Sequence, residues 1–201
     1  NANLKSGVAG CVDQAEGQEI INRQPLVDLV VGPQAYHRLP ELIDKIERNE
    51  KALDTEFPLE DKFDHLPKRQ LRNRRPTAFL TVQEGCDKFC SFCVVPFTRG
   101  RERSREPKSI VAEAHDLFNQ GYREVTLLGQ NVDSYKWNLD IKGKIKDPEK
   151  PVVRFAELLE MVAVVNTDLR VRFSTSHPKD MTDDVLHTIS RHENLCKYIH
   201  L

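Results

Sequence analysis

From Thr77 to Leu201, short β-type runs alternate with amphipathic stripes, and few folds accept that order. Thr77-Ala-Phe-Leu-Thr-Val-Gln83 reads as a first strand. Pro107 fits the first turn of a helix; Ile110, Val111, Ala114, Leu117 and Phe118 share one face of it, and Gly121 closes it. Glu124-Val-Thr-Leu-Leu128 is a second strand, after which Phe155, Leu158, Leu159, Val162 and Ala163 repeat the helical stripe. Leu169–Phe173 reads as a third strand and Tyr198–Leu201 as the start of a fourth. Between them Thr182 can cap a helix carrying Val185, Leu186 and Ile189. An order β-α-β-α-β-α-β demands crossover connections, which are right-handed, and therefore a parallel sheet. The expected fold class is α/β: four strands do not close an eight-stranded barrel, but they form the first part of a barrel or partial barrel.

In such folds chemistry gathers at the C-terminal strand ends. The run from Gly85-Cys86, the turn Gly129–Asn131 and the stretch Ser174–His177 all fall there. The first is the most distinctive, since Cys86, Cys90 and Cys93 are three of the five cysteines and are spaced Cys-x3-Cys-x2-Cys. One tight loop can turn three such thiolates to a common face. Four-cysteine sites hold iron–sulfur clusters and structural zinc, so three local ligands leave one coordination position open. The alternative is most of a zinc site completed from a distance, for which Cys196 and His192 stand alone with no second ligand pair.

Ahead of the alternating region, residues 4–11 read as a short strand running into Gly10-Cys11, and Leu26–Val31 as another, closed by Gly32-Pro33. Gln18–Ile21 suggests a short helix. Leu39, Leu42, Ile43 and Ile46 form the stripe of a longer one. Residues 1–49 are therefore expected to be the end of a small α/β domain, 50–76 a linker and 77–201 the second domain. The linker ends in Lys68, Arg69, Arg72, Arg74 and Arg75, either a solvated face or a phosphate-contacting patch. Residues 136–151, rich in lysine, read as a surface insertion with no demand on the core.

Lys and Arg number 30 against 31 Asp and Glu, so bulk charge selects no partner and any anion recognition must be local. No apolar run approaches the ~18 residues of a membrane span, and the cysteine spacing is not that of a secreted disulfide scaffold. A reducing cytoplasm and no membrane association are expected.

The stretch Gly85–Arg105 (Gly-Cys-x3-Cys-x-Phe-Cys, then Val-Pro-x-x-Arg-Gly-x-Glu-x-Ser-Arg) resembles the radical S-adenosylmethionine enzymes and, within them, the methylthiotransferases. Gly10-Cys11, Val27–Pro33 and Leu127–Tyr135 resemble stretches of the same family, and Arg172–Pro178 is similar to the tRNA-modifying branch that acts on N6-isopentenyladenosine. The ribosomal-protein and threonylcarbamoyl-adenosine branches are the alternatives within the family, and a non-catalytic iron–sulfur or zinc RNA-binding module is the alternative outside it.

The resemblance implies a [4Fe–4S] cluster on Cys86, Cys90 and Cys93, with S-adenosylmethionine on the open iron and Phe92 near its adenine. It implies a second, auxiliary [4Fe–4S] cluster with Cys11 as a ligand, whose other cysteines are expected before Asn1, and an RNA-binding domain expected after Leu201. A radical would then remove hydrogen from adenine C2, and sulfur would come from the auxiliary cluster. Gln130 and Asn131 are candidates for the cofactor's methionyl end and Ser174 and Ser176 for its ribose, or else are polar turn caps. Arg99, Arg101, Glu102 and Arg105 are candidates for cofactor carboxylate or substrate phosphate, or else a charged turn. Expected partners are tRNA and a flavodoxin-type electron donor, with the enzyme itself a monomer. His177 and His200 receive no role.

Overall fold

The computed structural model describes residues 4–57, 76–140 and 142–201. The chain divides into two compact units. Among the described residues the first comprises 4–57 with 86–101, and the second 76–85 with 102–140 and 142–201. The basic run from Lys68 to Arg75 lies outside the described residues.

In the first unit, β1 (Gly7–Ala9), β2 (Leu29–Val31) and β3 (Ala52–Asp54) form a parallel sheet in the order β1-β2-β3. Two short helices follow β1: α1 (Cys11–Glu16) and α2 (Gln18–Arg23). A 3₁₀ turn at Pro33–Arg38 runs into α3 (Leu39–Glu47). Leu42 and Ile46 of α3 close on Leu29, Val31, Ala35 and Ala52, while Ile43 stays exposed at the edge of the stripe. The strand β3 corrects the expectation that 50–76 is linker throughout. Three residues are too few to show a period, yet Ala52 and Asp54 are buried because β2 offers a free parallel edge.

The second unit carries the alternating region. β4 (Thr77–Thr81) is followed by the two-residue β5 (Gln83–Glu84), which pairs antiparallel with β6 (Arg103–Ser104). Between β5 and β6 the chain contributes α4 (Val95–Thr98) to the first unit. Then come α5 (Pro107–Asn119), β7 (Glu124–Leu128), the antiparallel pair β8 (Lys136–Trp137) and β9 (Val153–Arg154), α6 (Phe155–Ala163), β10 (Arg170–Ser174) and α7 (Asp183–Arg191). The main sheet is parallel in the order β10-β7-β4, as the alternation requires. Alternate residues Ala78, Leu80, Val125, Leu127, Val171 and Phe173 enter its core. Ile110, Ala114 and Leu117 of α5 and Phe155, Leu158, Leu159 and Val162 of α6 cover them. Each fully buried large apolar side chain contributes about 1.5–3 kcal/mol, so the α6 stripe alone anchors its helix. Gly121 ends α5 at φ 98°, a left-handed conformation that suits glycine.

Three local expectations need correction. Tyr198–Leu201 forms no strand; the pairing beside β10 is a single parallel bridge from Leu195 to Val171, with Ser176 N–H reaching His200 O at 3.0 Å. That loop is instead fixed by Asn194, whose amide donates to the carbonyls of Ala163, Asn166 and Leu169. Thr182 sits at the cap position of α7 but makes no side-chain cap bond. Finally, 136–151 does contact the core: Trp137 packs against it, and Asn138 is buried and binds the loop from within.

Candidate functional site

The first unit holds the cysteine loop. Cys86 is buried, Cys90 and Cys93 are half-buried, and none of the three is in a disulfide among the described residues. The loop is closed at its base by Cys86 N–H donating to Gly100 O at 3.2 Å, and turned inside by Cys93 N–H donating to Cys90 O at 2.9 Å. Phe89 takes φ 48° at the bend, uncommon for a residue with a Cβ. Two contacts stabilise that bend. Phe97 meets Phe89 edge to face with centroids 6.0 Å apart, and the Arg101 guanidinium lies 5.4 Å from the Phe89 centroid while pairing with Asp87 at 3.2 Å. Phe92 is 90% exposed, free to meet a flat partner.

Among the described residues no three His, Cys, Asp or Glu side chains are gathered tightly enough for one metal ion. A tetrahedral zinc needs its sulfurs about 3.8 Å apart, given Zn–S distances of about 2.3 Å. A cluster binds each thiolate to a different iron and accepts a wider set. Three cysteines on one closed loop, each able to take a different iron, suit a multi-iron group.

Cys11 opens α1 in the same unit, and α1 packs on α4. Arg99, at the end of α4, donates from Nε to Cys11 Sγ at 3.2 Å. Cys11 and Arg99, assigned to different tasks by sequence, are thus neighbours.

The second unit holds the polar strand ends. Gln83, fully buried, is their hub: its Oε1 accepts Gln130 N–H at 2.9 Å and Asn131 N–H at 3.4 Å, and its Nε2 donates to Gly85 O at 2.6 Å. Gln130 Oε1 in turn accepts Gly85 N–H at 2.7 Å, so this side chain supports the backbone immediately before Cys86. Gly129 is glycine because a Cβ there would lie 2.4 Å from Gln83 Oε1 and 3.1 Å from Val132 Cα. Asn131 is buried; its Nδ2 donates to Asp180 Oδ2 at 2.6 Å, and its Oδ1 has no protein partner. Ser176 Oγ is likewise buried without one, whereas Ser174 is half-buried. Between the serines Thr175 takes φ 70°, a strained value for a β-branched residue, held by Thr175 Oγ1 donating to Gly129 O at 2.6 Å and by Val132 N–H donating to Thr175 O at 3.0 Å.

Sequence reasoning missed Gln83 and Asp133. Asp133 accepts His177 N–H on both oxygens, at 3.1 and 3.3 Å, and burial raises its carboxyl above the usual carboxylate range. Its only signal was a place in the polar run after β7. Glu102 and Arg105 are tied into the frame. Glu102 accepts Ser134 Oγ–H at 2.6 Å and faces Lys136 Nζ at 3.5 Å. Arg105 pairs with Glu113 at 2.6 Å and donates to Ser109 Oγ at 3.1 Å. Tyr135 donates its hydroxyl to Arg105 O at 2.6 Å, and burial pushes that hydroxyl's pKa well up.

A family model described as the radical SAM superfamily matches residues 80–201. Across the whole chain the sequence is 54% identical to the tRNA-2-methylthio-N(6)-dimethylallyladenosine synthase of Amoebophilus asiaticus, and 53% to the synthase of the same name from Jannaschia sp.. The chain spans 42% and 41% of their lengths. Among solved structures it is similar to the radical S-adenosylmethionine methyltransferase TsrM of Kitasatospora setae, with a TM-score of 0.58 at 16% identity over 96% of this chain and 40% of that one.

Proposed function

The chain belongs to the radical SAM superfamily, and from that premise we propose that it works as a tRNA methylthiotransferase, adding a methylthio group to C2 of N6-isopentenyladenosine beside the anticodon. The observation that carries this reading is the identity of more than half its residues with relatives named for that synthesis. Cys86, Cys90 and Cys93 would hold one [4Fe–4S] cluster and leave its fourth iron for S-adenosylmethionine; Cys11 would be a ligand of a second. When bound, cluster and cofactor supply the one-electron chemistry that can open an unactivated aromatic C–H bond.

This chain's residues then have separable tasks. The Phe89–Phe97 contact and the Asp87–Arg101 pair keep the loop closed around its thiols. Phe92 offers an exposed ring to the adenine. Asn131 and Ser176 present buried oxygens without protein partners, suited to polar groups of the cofactor, with Ser174 beside them. Gln130 acts on the cofactor side through Gly85, whose backbone leads into Cys86. Arg101, paired with Asp87 but mostly exposed, is the candidate for phosphate, since Arg105 and Glu102 are largely buried in the frame. An anticodon-loop adenosine suits such a site because a single-stranded loop offers an unstacked base with little unpairing cost. No helix among the described residues is long and apolar enough to cross a membrane. A cytoplasmic monomer served by a flavodoxin-type reductant completes the proposal.

Anaerobic reconstitution of the full-length protein tests it. A [4Fe–4S] EPR signal that changes on adding S-adenosylmethionine, and 2-methylthio-N6-isopentenyladenosine missing from the tRNA of cells lacking the gene, are the expected results. Stoichiometric zinc, or unchanged nucleosides in those cells, overturns it.

A further inference from the structure

We infer that Arg99 is a positioning residue for Cys11: its guanidinium holds the sulfur in one orientation and tunes the iron–sulfur group that the sulfur would ligate. The inference rests on the proposed function, in which Cys11 is a ligand.

The motif around Arg99 reads as an anion binder, yet among the described residues its partner is a sulfur, Cys11 Sγ at 3.2 Å from Nε. Both ends of this contact are built in. Arg99 N–H donates to Val95 O at 2.8 Å, and Arg99 O accepts from Gln34 Nε2 at 3.2 Å, with Gln34 fully buried. The side chain therefore leaves from a backbone fixed on both sides. On the other end, Gly10 N–H donates to Val31 O at 3.3 Å and Gln14 N–H to Gly10 O at 3.0 Å, which sets where Cys11 stands as α1 begins. The packing of α1 on α4 brings the two together, although 88 residues separate them in sequence.

The chemistry favours a metal-bound sulfur. A guanidinium is always charged and only donates, whereas a neutral thiol is a weak acceptor. The N–H···S contact gains most when the sulfur carries negative charge, as a metal-bound thiolate does. Hydrogen bonds to ligand sulfurs orient them and make reduction of an iron–sulfur group easier. Arg99 would thus link the segment carrying the loop cysteines to the ligand of the second cluster.

Two measurements test this. In the 201-residue chain labelled with 15N-arginine, the Arg99 Nε–H resonance should be protected from exchange and should move in Cys11→Ala; an unprotected resonance that ignores Cys11→Ala overturns the contact. In the reconstituted full-length protein carrying Cys86→Ala, Cys90→Ala and Cys93→Ala, only the second cluster is visible. There Arg99→Met should keep its iron yet shift the midpoint potential to a more negative value, with Arg99→Lys restoring part of the shift. A potential and EPR line shape identical to the parent in Arg99→Met overturn the tuning role. Should Arg99→Met fail to fold, Gln34→Leu, which releases the Arg99 carbonyl, is expected to shift the potential in the same direction, and no shift there counts against the role. A triple variant with Arg99 intact that takes up no iron overturns the inference outright; cleavage of S-adenosylmethionine by the unsubstituted loop reports separately on the proposed function.

Discussion

Gln83 and Gln130 hold each other's strand ends reciprocally. Gln83 Oε1 accepts the Gln130 backbone N–H at 2.9 Å, and Gln130 Oε1 accepts the N–H of Gly85, two residues beyond Gln83, at 2.7 Å. The C-terminal ends of β4 and β7 are thereby stapled at the residue that leads into Cys86. Gln83→Leu keeps the volume but strands buried backbone groups at Gly85, Gln130 and Asn131. Each orphaned buried group costs about 1–3 kcal/mol, partly relieved by relaxation. The expected loss in urea unfolding is about 3 kcal/mol, against less than half of that for Gln130→Leu, which strands only Gly85 N–H. Equal losses would dismiss Gln83 as the hub.

Asp133 makes stability fall as pH rises. Its carboxyl titrates at 3.8 when unperturbed, and burial raises it in the fold, with Asp180 adding to the rise and the His177 N–H and side chain opposing it. Below 3.8 both states hold the proton and ionisation costs folding nothing. As pH climbs through the folded value, the fold must accept a buried anion and loses stability. Asp133→Asn keeps an acceptor for His177 N–H without the charge. Its stability relative to the parent should therefore improve between pH 3.5 and pH 7, measured as urea midpoints; a difference constant across that range would remove the buried charge as the cause.

Arg105 separates frame from ligand binding. Its side chain is 10% exposed and pairs with Glu113, itself 26% exposed, at 2.6 Å. Removing one partner of a largely buried pair leaves the other uncompensated, so Arg105→Met should cost about 2–3 kcal/mol. Glu113→Gln, which keeps a hydrogen-bond acceptor, should cost less. Calorimetry of both variants decides: a thermal midpoint unmoved in Arg105→Met would return this arginine to the candidates for phosphate.

The sequence carried what repeats and what is local. Three parallel strands and the helices α5 and α6 were legible because burial on a sheet or helix face imposes a period over many residues. The cysteine loop was legible because its ligands are adjacent in the chain. The strand β3 and the pair β8–β9 were not, since two or three residues cannot display a period and their partners are distant. For the same reason Gln83 and the Arg99–Cys11 contact left no mark: one spans 47 residues to Gln130, the other 88, and each residue looks ordinary in its own neighbourhood.

Asn138 shows how one such residue can organise a whole loop. It is buried at φ 66°, a left-handed conformation that asparagine tolerates better than most residues. Its Nδ2 donates to the carbonyls of Asp147 and Lys150 at 2.8 Å and of Pro151 at 3.3 Å, and its Oδ1 accepts Asp147 N–H at 2.9 Å. These bonds draw the far side of the loop back to β8 and so align β8 with β9, placing Val153 in the core. Asn138→Ala loses all four and adds left-handed strain of about 1 kcal/mol. Asn138→Gly loses the same bonds but relieves the strain. Both should make the loop the first site of limited proteolysis, with cleavage between 139 and 152, and Gly should retain about 1 kcal/mol more stability than Ala. A loop as resistant in Asn138→Ala as in the parent would mean that β8 and β9 pair without help from this side chain.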